Sequence, residues 1–252
     1  MQRSTTIIHY APAKLVVVLV PKCGSTTMIA AFLTLAGLGA HVPTARNFIR
    51  SDEGRAQMHA AGLEVRPVRF EELAQMQQRD PGYRFLTVLR DPTERFVSGY
   101  FSKINRYAKR FARRAYLWGK LRQALSGPRA WPHIEQANRH IRKLIPFEQF
   151  VSGMERHGTE WDSHFRPQGQ TVGHELIRYD RVLMLETLDA ALIPTLQDLG
   201  FDTAELALLK TLPRKNPTQT PQTTRGQLLT PDLRARIARL YHDDLRFLGQ
   251  MQ

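Results

Sequence analysis

The run Leu15-Val16-Val17-Val18-Leu19-Val20, followed by Pro21-Lys22-Cys23-Gly24-Ser25-Thr26-Thr27, decides how this chain is read. Six consecutive apolar residues, four of them Val, predict a strand buried on both faces. Pro21 has no N–H to give to a ladder and ends it. Gly24 allows a tight turn and a close approach of backbone to a ligand. Residues 28–37 (MIAAFLTLAG) are apolar good helix formers that close on a glycine. Strand, short polar loop and helix in that order place the loop's N–H groups at a helix N-terminus, where the dipole favours an anion. Lys22 adds a positive charge, and Ser25, Thr26 and Thr27 add hydroxyls. The stretch reads as a phosphate cradle in an α/β protein.

It is not the usual nucleotide loop. In G-x-x-x-x-G-K-[ST] the lysine follows the second glycine and precedes a Mg²⁺-binding hydroxyl. Here Lys22 precedes Gly24, and no hydrophobic strand ends in an evident metal-binding aspartate.

Working outward, Tyr83 to Leu89 (YRFLTVL) predicts a second core strand, stopped at Arg90-Asp91-Pro92. Pro92 suits the first turn of a helix, and Phe96 and Tyr100 share one face of it. Open α/β sheets bind ligands at the carboxyl ends of their strands. Two such ends carry Lys22 and Arg90. Elsewhere the pattern predicts a short strand near 65–70, helices at 71–78 and 147–158, strand material over 176–185, a helix over 187–199 closing on Gly200, and a last helix from Thr230-Pro231 through about Phe247. Residues 39–83 carry the weakest pattern. Residues 213–226 are Pro/Thr-rich, cationic and free of acids, and read as a loop. There is no internal repeat or linker, so 1–252 is read as one domain.

At 252 residues the chain can bury a large core. Its one cysteine, Cys23, excludes an intrachain disulfide and a multi-cysteine metal site. No stretch reaches the roughly 18–20 apolar residues of a membrane span, and the N-terminal residues lack a signal-peptide pattern. The expectation is a cytoplasmic protein. The net charge of +13 implies a polyanionic partner: nucleic acid, acidic glycan, anionic lipid or a highly charged cofactor. Most of it lies between Lys103 and Lys143, where 12 Lys/Arg meet a single acid, Glu135.

With these pieces placed, the chain resembles the sulfotransferases, and among them the carbohydrate sulfotransferases related to the Golgi glycan enzymes and their soluble bacterial relatives. The loop 21–27 is similar to that family's 5′-phosphosulfate loop. Residues 89–100 (LRDPTERFVSGY) look like its 3′-phosphate motif, R-D-P-x-x-R-x-x-S-x-Y, matched at every fixed position. Residues 162–168 (DSHFRPQ) resemble its later D-x-H-W-x-P-Q segment, with Phe165 in place of tryptophan. Tyr179-Asp180 and Glu186 fit the stretch that follows, and Tyr241, Asp244 and Leu245 resemble the terminal Y-x-x-D element.

The resemblance implies a P-loop-like sulfotransferase fold with a central, mainly parallel sheet. It implies 3′-phosphoadenosine-5′-phosphosulfate (PAPS) as donor, bound by Lys22, Cys23, Gly24, Ser25, Thr26, Thr27, Arg90 and Ser98, and no metal. Lys22 then stabilises charge on the leaving phosphate. The base that takes the acceptor's proton is His164, inside a matched motif, or His59, which lies between the two donor motifs where some relatives carry a histidine base. Glu186 is a weaker candidate.

The basic segment, with Trp118 and Trp131 as stacking platforms, suggests an anionic glycan as acceptor and allows contact with an anionic membrane. Two other classes compete. A nucleic-acid-binding protein would use the same aromatic, basic segment but has no need of paired anion cradles. An atypical P-loop kinase conflicts with the lysine position.

Overall fold

The computed structural model describes residues 4–103, 146–160, 162–211 and 228–250. Of the basic segment only Lys103 is among them, and the loop 213–226 lies outside them. The described chain divides into two compact units. The first holds residues up to Pro92, then Arg166–Pro217 and Asp243–Gln252; the second holds Thr93–Phe165 and Thr218–His242.

The first unit is built on a five-stranded sheet. Its strands are β1 (Ser4–Tyr10), β2 (Leu15–Leu19), β3 (Leu63–Arg69), β4 (Arg84–Leu89) and β5 (Arg181–Met184), in the order β3-β1-β2-β4-β5. β2, β4 and β5 are parallel neighbours, and β1 runs antiparallel to both β2 and β3. The expectation is an α/β fold with a mainly parallel sheet, and four of the five strands run the same way, with β1 alone reversed. β1 was not foreseen. Its isoleucines and threonines suit a strand, but only the turn at Lys14, where φ is 45°, folds it back on β2. Pro67 sits in β3, an edge strand, where a missing donor costs least.

β2 is buried on both faces, as six apolar residues in a row require. Leu15, Val17 and Leu19 join one apolar cluster, and Val16, Val18 and Val20 join the other. On the first face lie α1 (Ser25–Leu35), the short α2 (Ala45–Phe48) and α3 (Asp52–Ala60), through residues such as Phe32, Phe48 and Met58. On the second face Phe70 and Leu73 of α4 (Phe70–Arg79) pack with Val18 and Phe85.

The second unit has a helical core. The helix α5 covers 92–103 among the described residues and supplies Phe96, Val97, Tyr100 and Phe101. α6 (Phe147–His157) adds Phe147, Val151 and Met154. Phe165 is fully buried among them, with ring centroids 5.5 Å from Phe96 and 5.2 Å from Phe150. Gly99 makes this possible: a Cβ there would stand 2.6 Å from the Phe165 ring.

The first unit continues with α7 (Gln168–Val172), α8 (Leu188–Asp198) and α9 (Thr203–Ala207). Two expectations need correction. The strand expected over 176–185 is only the four residues of β5. Before it, Tyr179 gives its hydroxyl to the Val172 carbonyl at 2.7 Å, and Asp180 takes the Phe85 N–H of β4 at 2.8 Å, so these residues tie to other elements and do not extend β5. The last helix is two, α10 (Pro231–Leu240) and α11 (His242–Gly249). The break at Tyr241 (φ −117°) falls where the chain passes from the second unit to the first. Among the described residues no helix is long and apolar enough to cross a membrane.

Candidate active site

The carboxyl ends of the three parallel strands deliver the charged residues of the first unit. After β2 the chain makes a tight turn and enters α1 directly. Lys22 takes a left-handed conformation (φ 71°), uncommon for a residue with a side chain, and Gly24 takes another (φ 77°). Holding Lys22 there costs about 1 kcal/mol, and the surrounding contacts must supply it. The N–H of Cys23 goes to the Val20 carbonyl at 3.2 Å, and the hydroxyl of Ser25 to the same carbonyl at 2.8 Å. These two groups shape the loop from within. Gly24, the residue before α1, gives no side-chain cap, so the first-turn N–H groups at Ser25, Thr26 and Thr27 are the donors a bound anion would use. Gly24 is also a packing requirement, since a Cβ would lie 3.0 Å from Leu185 and 3.3 Å from Leu188.

Arg90 follows β4 and is buried, with 8% of its surface exposed. Its Nη1 points to the Lys22 carbonyl at 3.5 Å, and its Nε lies 3.7 Å from Glu186 Oε1. Glu186 also accepts the Asp91 N–H at 3.3 Å. Glu186 therefore braces the Arg90-Asp91 turn with its carboxylate. The structure thus brings the Arg90 guanidinium against the backbone of Lys22, 68 residues away, with the Glu186 carboxylate beside it.

The bracing continues inward through a residue to which the sequence reading gave no role. Gln168 is fully buried and pairs with the backbone of Arg90 as a strand would. Its Oε1 accepts the Arg90 N–H at 2.9 Å, and its Nε2 donates to the Arg90 carbonyl at 2.7 Å. The same Oε1 accepts the Cys23 thiol at 3.1 Å. Cys23, 1% exposed, is thus committed to structure. Gln168 is fixed by Asp244, whose two oxygens accept the N–H groups of Gln168 and Gly169 at 2.8 and 2.9 Å. Asp244 is buried, and the two charge-assisted hydrogen bonds help to offset the cost of burying its charge.

His59 lies on α3 of the same unit, exposed, and makes no side-chain hydrogen bond or ion pair among the described residues.

Ser98 and His164 belong to the second unit. Ser98 is buried on α5. His164 sits in the turn that opens the 162–168 segment. Asp162 Oδ1 accepts the His164 backbone N–H at 2.9 Å and lies 2.8 Å from the ring Nδ1. The other oxygen of Asp162 pairs with the ammonium of Lys103. Burial pushes the Asp162 carboxyl upward, but the hydrogen bonds from Lys103 and His164 overcome it and hold the group down at about 2. The sequence carried no local signal for Lys103, which meets Asp162 across 59 residues.

The two residues of the terminal Y-x-x-D element divide their work. Tyr241 gives its hydroxyl to the Phe165 carbonyl at 2.6 Å in the second unit, and Asp244 anchors Gln168 in the first.

The description "Sulfotransferase family" attaches to a family model that matches residues 6–249. The chain belongs to the sulfotransferase family. No curated protein and no solved structure is a match to it.

Proposed function

We propose that the protein transfers a sulfuryl group from PAPS to a hydroxyl of a carbohydrate, and that the carbohydrate is anionic. The observation that carries this reading is the buried Arg90 guanidinium set against the Lys22 loop at the head of α1, in a chain whose family performs sulfuryl transfer. The residues present fit such a donor. The loop turns at Gly24, whose φ of 77° disfavours a side chain, and a buried arginine stands beside it.

When bound, PAPS supplies an activated sulfuryl group on a phosphate that departs as an anion. Lys22 and the N–H groups of Ser25, Thr26 and Thr27 are proposed to hold that phosphate's charge, strongest where charge develops. Arg90 and Ser98 are proposed for the 3′-phosphate, a forked donor and a hydroxyl. His164 is proposed to accept the proton of the attacking hydroxyl. It is preferred to His59 because Asp162 orients its ring, whereas nothing among the described residues orients His59. Glu186, engaged with Asp91 and Arg90, is better suited to bracing than to proton transfer.

Support for an anionic acceptor comes from the charge of residues 103–143, net +11 of the chain's +13. The reaction is proposed to run in the cytoplasm without a metal, with an anionic membrane surface as a second contact for that segment.

The test is incubation with PAPS in the presence of EDTA and a panel of neutral, uronic-acid-bearing and sulfated glycans, followed by mass spectrometry. The expected result is addition of sulfate to an anionic glycan, lost with Lys22→Ala. Transfer to no glycan in the panel overturns the acceptor class, and no use of PAPS with any hydroxyl compound overturns the donor.

A further inference from the structure

The turn from Asp162 to Phe165 is fastened more tightly than a surface turn requires. Asp162 is gripped by Lys103, which is 7% exposed. The carbonyl of Ser163 accepts Nη2 of Arg95, 1% exposed, at 3.2 Å. The carbonyl of Phe165 accepts the hydroxyl of Tyr241, also 1% exposed, at 2.6 Å. The Phe165 ring fills the space that Gly99 leaves open. Lys103, Arg95 and Gly99 all lie on α5, so one helix sets the position of the His164 backbone from three points.

The chemistry of the ring follows from its partner. An ionised carboxylate only accepts hydrogen bonds. A ring nitrogen 2.8 Å from Asp162 Oδ1 must therefore carry the proton, and that nitrogen is Nδ1. A neutral imidazole protonated at Nδ1 has its lone pair at Nε2. A turn cap needs only the bond from Oδ1 to the backbone N–H of His164. The ring on the same oxygen and the buried ammonium on the other go beyond capping. Lys103 prevents Asp162 from taking up a proton and becoming a donor itself.

We propose that Asp162 is a positioning residue that fixes His164 as the Nδ1–H tautomer with Nε2 as proton acceptor, and that Lys103 keeps Asp162 an acceptor only. The proposal rests on the reading of His164 as the base, and it makes α5 the element that aims that base.

Two-bond ¹H–¹⁵N correlation spectra of the ¹⁵N-histidine-labelled full chain, recorded at a pH where the ring is neutral, report which nitrogen holds the proton. The His164 signals are assigned by their absence in His164→Ala. The wild type should show Nδ1 protonated and Nε2 bare. Asp162→Ala should shift the ring toward the Nε2–H form that free imidazole side chains favour, and lower kcat at least about tenfold with the KM for PAPS unchanged. An Nε2–H ring in the wild type overturns the proposal, as does an Nδ1–H ring that persists in Asp162→Ala. Should that variant not fold, the wild-type spectrum decides alone. Turnover of His164→Ala tests the underlying reading separately: full activity removes His164 as the base, while the spectra still decide what Asp162 does to the ring.

Discussion

The corner of the first unit around Lys22 and the turn of the second unit around His164 are both charged sites held by buried groups, yet they are made differently. The Lys22 loop is backbone work: a strand end, two left-handed residues and the first turn of α1, pinned from behind by Gln168 and Asp244. The His164 turn is side-chain work: an ionic pair to Lys103, a guanidinium on a carbonyl and a ring bedded against a glycine. Backbone donors suit recognition of a fixed anion, because their positions are set by the fold and do not titrate. A side-chain assembly suits proton transfer, because it can choose a tautomer and a charge state. The difference teaches that, on the proposed roles, binding of the donor and activation of the acceptor can be perturbed separately.

The largest effect is expected at the proposed base. His164→Ala should lower kcat by about two to four orders of magnitude, while His59→Ala should leave it unchanged. Single-turnover assays with saturating PAPS check this, and the reverse ranking would move the base to the first unit. Lys22→Ala should lower kcat by about two to three orders of magnitude with little change in thermal stability, on the proposal that Lys22 acts on developing charge. A change confined to the KM for PAPS would make Lys22 a ground-state binder only.

Next come the supports. Gln168→Ala leaves the Arg90 N–H and carbonyl without their partner in the interior and should destabilise the protein by about 2–3 kcal/mol, read as a drop in the urea midpoint. Gly99→Ala must displace Phe165 and should cost about 1–3 kcal/mol, with kcat falling further than PAPS affinity. If both supports change PAPS affinity and kcat in the same ratio, the two sites are not separable and the comparison fails.

The smallest effect concerns acid stability. Asp162 is held at about 2, below its usual 3.8. A carboxyl with a depressed folded-state pKa stabilises the protein above its unfolded value, and that stabilisation fades as pH falls from about 4 toward about 2. The contribution is on the order of 1 kcal/mol at this partly exposed group. Lys103→Met should remove part of it, so that wild type and variant differ in denaturation midpoint at neutral pH and the difference narrows toward pH 2. A constant difference across that range would take the ion pair out of the account.

Much of the first site was legible in the sequence, and little of the second. Six apolar residues, a proline and a glycine in one run announce β2, the loop and α1, because burial on both faces and a left-handed turn leave local marks. Arg90 was legible for the same reason, as a charge at the end of an apolar strand. The antiparallel β1 was not, since its partner is chosen by a three-residue turn at Lys14. The helices between 39 and 60 are too short, and α3 too polar, for a period to show.

Gln168 and Asp244 could be quoted as motif positions, but hydrogen bonds across 75 to 78 residues leave no spacing to read. The same holds for Lys103 and Asp162. The break at Tyr241 was hidden because no proline or glycine marks it; the Tyr241 hydroxyl is committed to the Phe165 carbonyl.

The central claim, that the corner around Lys22 and Arg90 is the donor site, is tested most directly by isothermal titration of 3′-phosphoadenosine-5′-phosphate into the full chain in EDTA. The account predicts one binding site per chain without metal, weakened about 10- to 100-fold in Arg90→Ala through loss of a charge-assisted hydrogen bond. ATP with Mg²⁺ should bind no better to the wild type than to that variant. Absence of binding in EDTA, or an affinity that Arg90→Ala leaves unchanged, would contradict it.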